Sequence, residues 1–158
     1  MNAIQLIQKL RDYSWDEEAW QLPLAPAIEG ISASVAAWQP PGGGNTIWQT
    51  VNHLNHYNRL MVKRLRGIQA SSTARNNTET FGAPGDPNDQ EGWEKTVAEA
   101  KAIAQDLKEV FATLTEKDLE TDDLGERIAD WIMHDSYHTG QIVLLRKMQG
   151  SWPATREG

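Results

Sequence analysis

The chain's four histidines fall in two short stretches, His53 and His56 in one and His134 and His138 in the other. Imidazole is a good ligand for divalent metals, and residues four apart on a helix share a face. His134 and His138 can therefore hold one ion if a third imidazole is brought to them. Three protein ligands leave at least one coordination position for water or substrate, the arrangement of a catalytic rather than a closed structural metal. Buried histidines also serve as hydrogen-bonded core residues, and the pattern by itself leaves both uses open.

Facial position separates the four. Each helical residue advances about 100°. His138 falls inside an apolar stripe marked by Trp131, Ile142 and Leu145, and His134 falls at its edge. On the earlier helix, His53 lies on the flank of the stripe made by Ile47, Val51, Leu54, Met61 and Leu65, whereas His56 lies nearly opposite it. The metal set expected from facial geometry is thus His53, His134 and His138.

Four neighbours are candidates for catalytic work, each with a plainer alternative. Asp135 projects onto the apolar stripe, where an unpaired carboxylate is costly, so it needs a histidine N–H, an arginine or a water. Arg127, two turns before His134, can bind the carboxylate of a substrate or thiol cofactor, or simply form an ion pair. Gln141 can orient a bound ligand or make a packing hydrogen bond. Tyr57, one turn past His53, can act as a general acid or as amphipathic packing.

The elements that must position these groups read as helices. No segment alternates with period two, and no 20–50-residue repeat is visible. One helix is expected from about 45 to 66, ending at Gly67. A second follows the stripe Trp93, Val97, Ala100, Ala104, Leu107, Phe111 and Leu114, with capping residues in Asp86–Asp89. The last runs from about 125 to 149 and stops at Gly150. At the N-terminus Ile4, Ile7 and Leu10 suggest a short helix, and Leu24, Ile28, Ile31, Val35 and Trp38 a rod kinked or interrupted by Pro23, Pro26 and Gly30. The polar stretch between Gly67 and Gly92 is longer than most connections and reads as a crossover, a lid or a disordered segment. The expected fold is all-α, a four-helix bundle with a long crossover loop between helices two and three and a short or kinked N-terminal segment. Gly140 is expected to allow two helices to approach closely. Of the seven tryptophans, Trp93 and Trp131 sit on core stripes, while Trp15, Trp20 and Trp152 can line a pocket or a dimer face.

Length and composition bound the function. A chain of 158 residues is about one domain and can bury a core without disulfides, so a metal site would serve function first. With no cysteine there is no thiolate nucleophile or thiolate ligand, and a cytoplasmic address is expected. No apolar run approaches the roughly 18 residues needed to cross a bilayer, so no membrane is expected. A formal net charge of −7 works against nucleic-acid binding. The local basic group Arg59, Lys63, Arg64 and Arg66 reads as a solvated helix end against the negative dipole terminus.

The segment His134–Ile142 resembles the C-terminal HxxxHxGQ motif of the DinB-like (YfiT-like) superfamily, and Asn45–His53 resembles the segment bearing that family's first histidine. The similarity spans nearly the whole chain, and Leu24, the Gly30-Ile31-Ser32 turn, the Trp38-Gln39-Pro40 stretch and the long loop before Trp93 fall where small Bacillus-type members have comparable features. It implies a four-helix bundle with a three-histidine divalent-metal site, His53, His134 and His138 here, holding zinc or nickel, and a homodimer. It also implies a small-molecule substrate and, for the enzymes of the family, a low-molecular-weight thiol such as bacillithiol.

A metal on neutral imidazoles lowers the pKa of whatever fills its open position. Three functions follow: a thiol S-transferase or isomerase in which a cofactor supplies the sulfur, a metal-dependent hydrolase in which water fills the position, and a non-catalytic metal-binding or stress-related protein.

Overall fold

The computed structural model describes residues 1–153, and the last five residues of the expected 1–158 domain lie outside it. It is all-helical, with α1 (Ala3–Trp15), α2 (Leu24–Ile28), α3 (Ala33–Ala36), α4 (Ile47–Leu65), α5 (Gln90–Phe111), α6 (Glu116–Glu120) and α7 (Leu124–Met148). Two 3₁₀ turns, Thr78–Phe81 and Thr121–Asp123, precede α5 and α7. Among the described residues no helix is long and apolar enough to cross a membrane.

The helix starts follow capping chemistry. Asn2 with Gln5 and Thr46 with Gln49 form reciprocal capping boxes at α1 and α4, and the Asp89 side chain accepts from Gly92 N–H at α5. Long helices α4, α5 and α7 match the expected spans to within a few residues. Helix α5 ends at Phe111 rather than carrying its stripe on to Leu114, because Thr115 caps the separate helix α6. Of the kinked or interrupted rod expected over 24–38, the structure shows the interrupted form, two single turns divided at Gly30, whose φ of +68° no helix accommodates. Helix α7 is entered through Asp122 and Asp123, both left-handed, a conformation aspartate tolerates better than most residues.

Helix α4 packs on α5 and α7, and α1 packs on α7 and α5. The short helices close one end. Trp93 Nε1 donates to Ile31 O at 2.9 Å, Arg146 Nη1 to Ala27 O at 2.9 Å, and Gln149 Nε2 to Val35 O at 3.1 Å. Trp93 and Trp131 are buried as their stripes require, while Trp20 is fully exposed.

The core has two apolar clusters. One gathers Leu24, Ile28, Ile47, Val51, Leu54, Trp93 and Ile142, and the other Ile7, Val62, Ile103, Leu107, Phe111, Ile128 and Trp131. Each fully buried side chain of this kind contributes about 1.5–3 kcal/mol. Buried polar residues form a layer beside these clusters: Arg11 and Ser14 on α1, His53, Asn55 and Asn58 on α4, and Asp135, His138 and Thr139 on α7. Polar groups without hydrogen bonds are costly in a core, so each of these needs a partner.

Candidate metal centre

The start of α4 positions the first histidine by clamping the loop that precedes α5. Thr46 Oγ1 donates to Pro84 O at 2.7 Å, Gln49 Nε2 to Gly82 O at 3.0 Å, and Asn52 Nδ2 to Phe81 O at 3.3 Å. Gly85 lets the loop lie on Trp48, where a Cβ would overlap the indole ring. The clamp lays Thr80 and Phe81 on His53. The His53 and Phe81 rings stack, and Nδ1 lies 2.6 Å from Thr80 Oγ1. Since that hydroxyl gives its proton to Asn77 O, it accepts from His53 Nδ1–H, and the lone pair of His53 is left on Nε2.

Helix α7 supplies the other two. His138 Nδ1 lies 2.7 Å from Gln141 Oε1, an acceptor, so its lone pair is also on Nε2. His134 Nε2 stands 3.0 Å from His53 Nε2 and 3.1 Å from His138 Nε2. One ligand atom from each of the three residues falls within 4.8 Å of the others. Two nitrogens each about 2.1 Å from a common ion stand about 3.0–3.4 Å apart for angles between 90° and the tetrahedral value. The donor set therefore fits a divalent ion.

Burial favours the neutral form of His53 and His138. Burial, reinforced by His138, His134 and His56, pushes the His53 pKa down to about 3. Burial also lowers His138, with His134 adding to it and the Gln141 hydrogen bond opposing it. Neutral imidazole is the form that ligates metal. His134 is the most accessible of the three, its side chain one-third exposed, and it lines a cleft of about 1120 Å³ with Tyr57, Met61, Arg64, Arg127 and Trp131. A group bound in that cleft reaches the cluster from the His134 side.

The remaining candidates sort clearly. His56 stays outside the cluster, with Nε2 2.8 Å from Ser72 Oγ. Gln141 is committed to His138. Tyr57 sits edge-on to His53 and donates its hydroxyl proton to Asn77 Oδ1 at 3.0 Å. Arg127 is exposed and shares only the cleft with His134. Asp135 finds a partner in Asn58, whose Nδ2 donates to Oδ2 at 2.9 Å while its Oδ1 accepts from Trp131 Nε1 at 2.6 Å. Burial raises the Asp135 pKa, with His134 and Asn58 pulling against it. Among the described residues nothing lies within 4 Å of where a Gly140 Cβ would be, so Gly140 does not bring two of the described helices together. Thr80, Phe81 and Asn77 belong to no motif or periodic stripe; the isolated aromatic in the polar stretch 67–92 is the signal that the sequence offers for them.

Comparison with known sequences identifies the family of the chain. A family profile described as the DinB superfamily matches residues 16–142. The chain belongs to the DinB superfamily. No curated protein and no solved structure matches it. The matched span contains all three histidines as well as Thr80 and Phe81, so the DinB superfamily region holds the candidate centre together with the loop that orients it.

Proposed function

We propose that this DinB superfamily protein is a divalent-metal-dependent enzyme for small organic anions, in which a low-molecular-weight thiol such as bacillithiol supplies the nucleophile for a transfer or isomerisation. The observation that carries the metal reading is the convergence of three Nε2 atoms, two of them held in the ligating tautomer by Thr80 and Gln141. His53, His134 and His138 would hold zinc or nickel, which when bound acidifies a thiol or a water in its open position.

The chain's own residues give the substrate its shape. Arg64 and Arg127 offer cations to a carboxylate in the cleft, and Met61, Leu114 and Trp131 offer an apolar wall. Tyr57 lies beside the histidines on the same wall and is placed to pass a proton to a leaving group or to an intermediate, with Asn77 accepting from its hydroxyl in the resting state. Because the chain contains no cysteine, the sulfur of a thiol mechanism arrives with a cofactor. A hydrolase is the second reading, favoured by the width of the cleft, through which water has access to the His134 side of the cluster.

The same proposal takes α1, α4, α5 and α7 as the four members of the bundle, with the 67–89 connection as its crossover. It takes the protein as a homodimer through the exposed apolar stripe Met133, Tyr137 and Leu144 of α7.

Elemental analysis of protein purified without an affinity tag tests the metal. One divalent ion per chain is expected in the wild type and His56→Ala, and little in His53→Ala or His138→Ala. Absence of an ion from both purified and reconstituted wild type overturns the reading. Metal-dependent turnover of an electrophile that requires added thiol separates transfer from hydrolysis. If the ion only changes melting temperature and no substrate is turned over, the protein is a non-catalytic metal binder.

A further inference from the structure

Two buried charged side chains have atoms that the metal reading does not use. Arg11 of α1 is 7% exposed, and its guanidinium pairs through Nη2 with the neighbouring Asp12, yet Nε has no hydrogen-bond partner. Asp135 of α7 is 5% exposed; Oδ2 accepts from Asn58, and Oδ1 has no partner. Among the described residues the two form no direct ion pair, but both line one small cavity of about 20 Å³, with Ser14, Asn55 and Asn58 on its wall. A cavity needs about 10–15 Å³ by this measure, and two to four polar partners, to hold a water. This one has room for a single water, and its lining residues include the Arg11 guanidinium, the Asp135 carboxyl group, the Ser14 hydroxyl and the amides of Asn55 and Asn58.

We propose that one buried water joins Arg11 Nε–H to Asp135 Oδ1, and that Arg11 is thereby a positioning residue for His134. The second step rests on the metal reading above. Asp135 Oδ1 is the carboxylate oxygen that faces His134 Nδ1, 3.8 Å away. When His134 presents Nε2 to an ion, its proton sits on Nδ1 and faces this oxygen, and a carboxylate so placed fixes the ring and raises its basicity as a ligand. The chain of contacts runs from Trp131 through Asn58 and Asp135 to the water and Arg11, so the polar layer ties α1 to the two helices that carry the histidines. Arg11 precedes the matched residues 16–142, so the α1 end of this tie lies outside what the family comparison covers.

A crystal structure that resolves waters should show one within hydrogen-bond distance of both atoms; a dry cavity overturns the bridge. In urea unfolding of metal-free protein, Arg11→Met and Asp135→Asn should each lower the midpoint, and the double variant should lower it by less than the sum, whereas additive effects overturn the coupling. Cobalt(II) affinity, read by chelator competition and by the ligand-field absorption of the bound ion, should fall about tenfold in Arg11→Met with unchanged stoichiometry, and recover in part in Arg11→Lys. Wild-type affinity in Arg11→Met overturns the positioning role while leaving the metal reading intact. A wild type that takes up no cobalt overturns the metal reading and the positioning role together, and the unfolding cycle then still decides the bridge.

Discussion

His53 and Phe81 lie face to face, their ring centroids 4.0 Å apart and their planes 10° from parallel. The first candidate ligand is therefore held as much by the connection between α4 and α5 as by its own helix. Thr80, next to Phe81, fixes which ring nitrogen carries the proton.

Thr80→Val keeps the shape of the side chain and removes the acceptor. The buried His53 N–H then loses its partner, which costs about 1–3 kcal/mol of stability, and the ring is free to present the wrong nitrogen. Metal affinity should fall about 10–100-fold, and Thr80→Ser should restore most of it. Chelator competition on the two variants checks this; equal affinity in Thr80→Val and wild type would show that the loop does not set the tautomer.

The helices were legible because their signals are local and periodic. The stripes through Val51, Trp93 and Trp131, with caps at Thr46 and Asp89, specify α4, α5 and α7 from sequence spacing alone. Facial position also sorted the histidines, since His53, His134 and His138 converge and His56 does not. What spacing cannot carry is contact between distant segments. The pairing of Asn58 with Asp135 and of His53 with Thr80 joins residues on different elements, and neither has a periodic signature. Gln141 was legible as a polar neighbour, but its commitment to His138 depends on a rotamer.

Acid should weaken the metal-free fold. The unfolded chain protonates His53 near 6.5, whereas the folded chain holds it neutral down to about 3. Between those values the unfolded state binds more protons, so stability rises with pH there and is lost as pH falls through that window. His138 is lowered too and acts in the same direction. Urea midpoints of metal-free protein should therefore drop steadily below about pH 6.5, and His53→Gln should flatten the slope. A slope unchanged in His53→Gln would assign the acid sensitivity to other groups.

The apolar stripe of α7 predicts association. Met133, Tyr137 and Leu144 are each more than half exposed although they share one side of a helix whose other side is core. Gly140 lies on this helix with open space beside it, so a second copy can approach its backbone. Sedimentation equilibrium should find a dimer in the wild type and a monomer in Leu144→Arg, with metal content unaffected by the change. A monomeric wild type at micromolar concentration would remove the homodimer from the proposal.

Arg127 should act on ligand binding and leave the metal alone. It lines the cleft that His134 opens into and lies outside the three-histidine group. Asp118, Asp122 and Asp130 line the same cleft, so an anion that also carries a cationic group finds partners for both charges. Loss of one charge-assisted hydrogen bond, worth about 1.5–3 kcal/mol, corresponds to roughly 10–100-fold in affinity. Calorimetry of metal-loaded protein against a panel of small mono- and dicarboxylates and amino acids should show that loss in Arg127→Met, with full metal content retained. Asp130→Asn should spare simple carboxylates and weaken amino acids. If Arg127→Met binds every carboxylate as the wild type does, the anion is held elsewhere, and Arg64 on the facing helix becomes the residue to test.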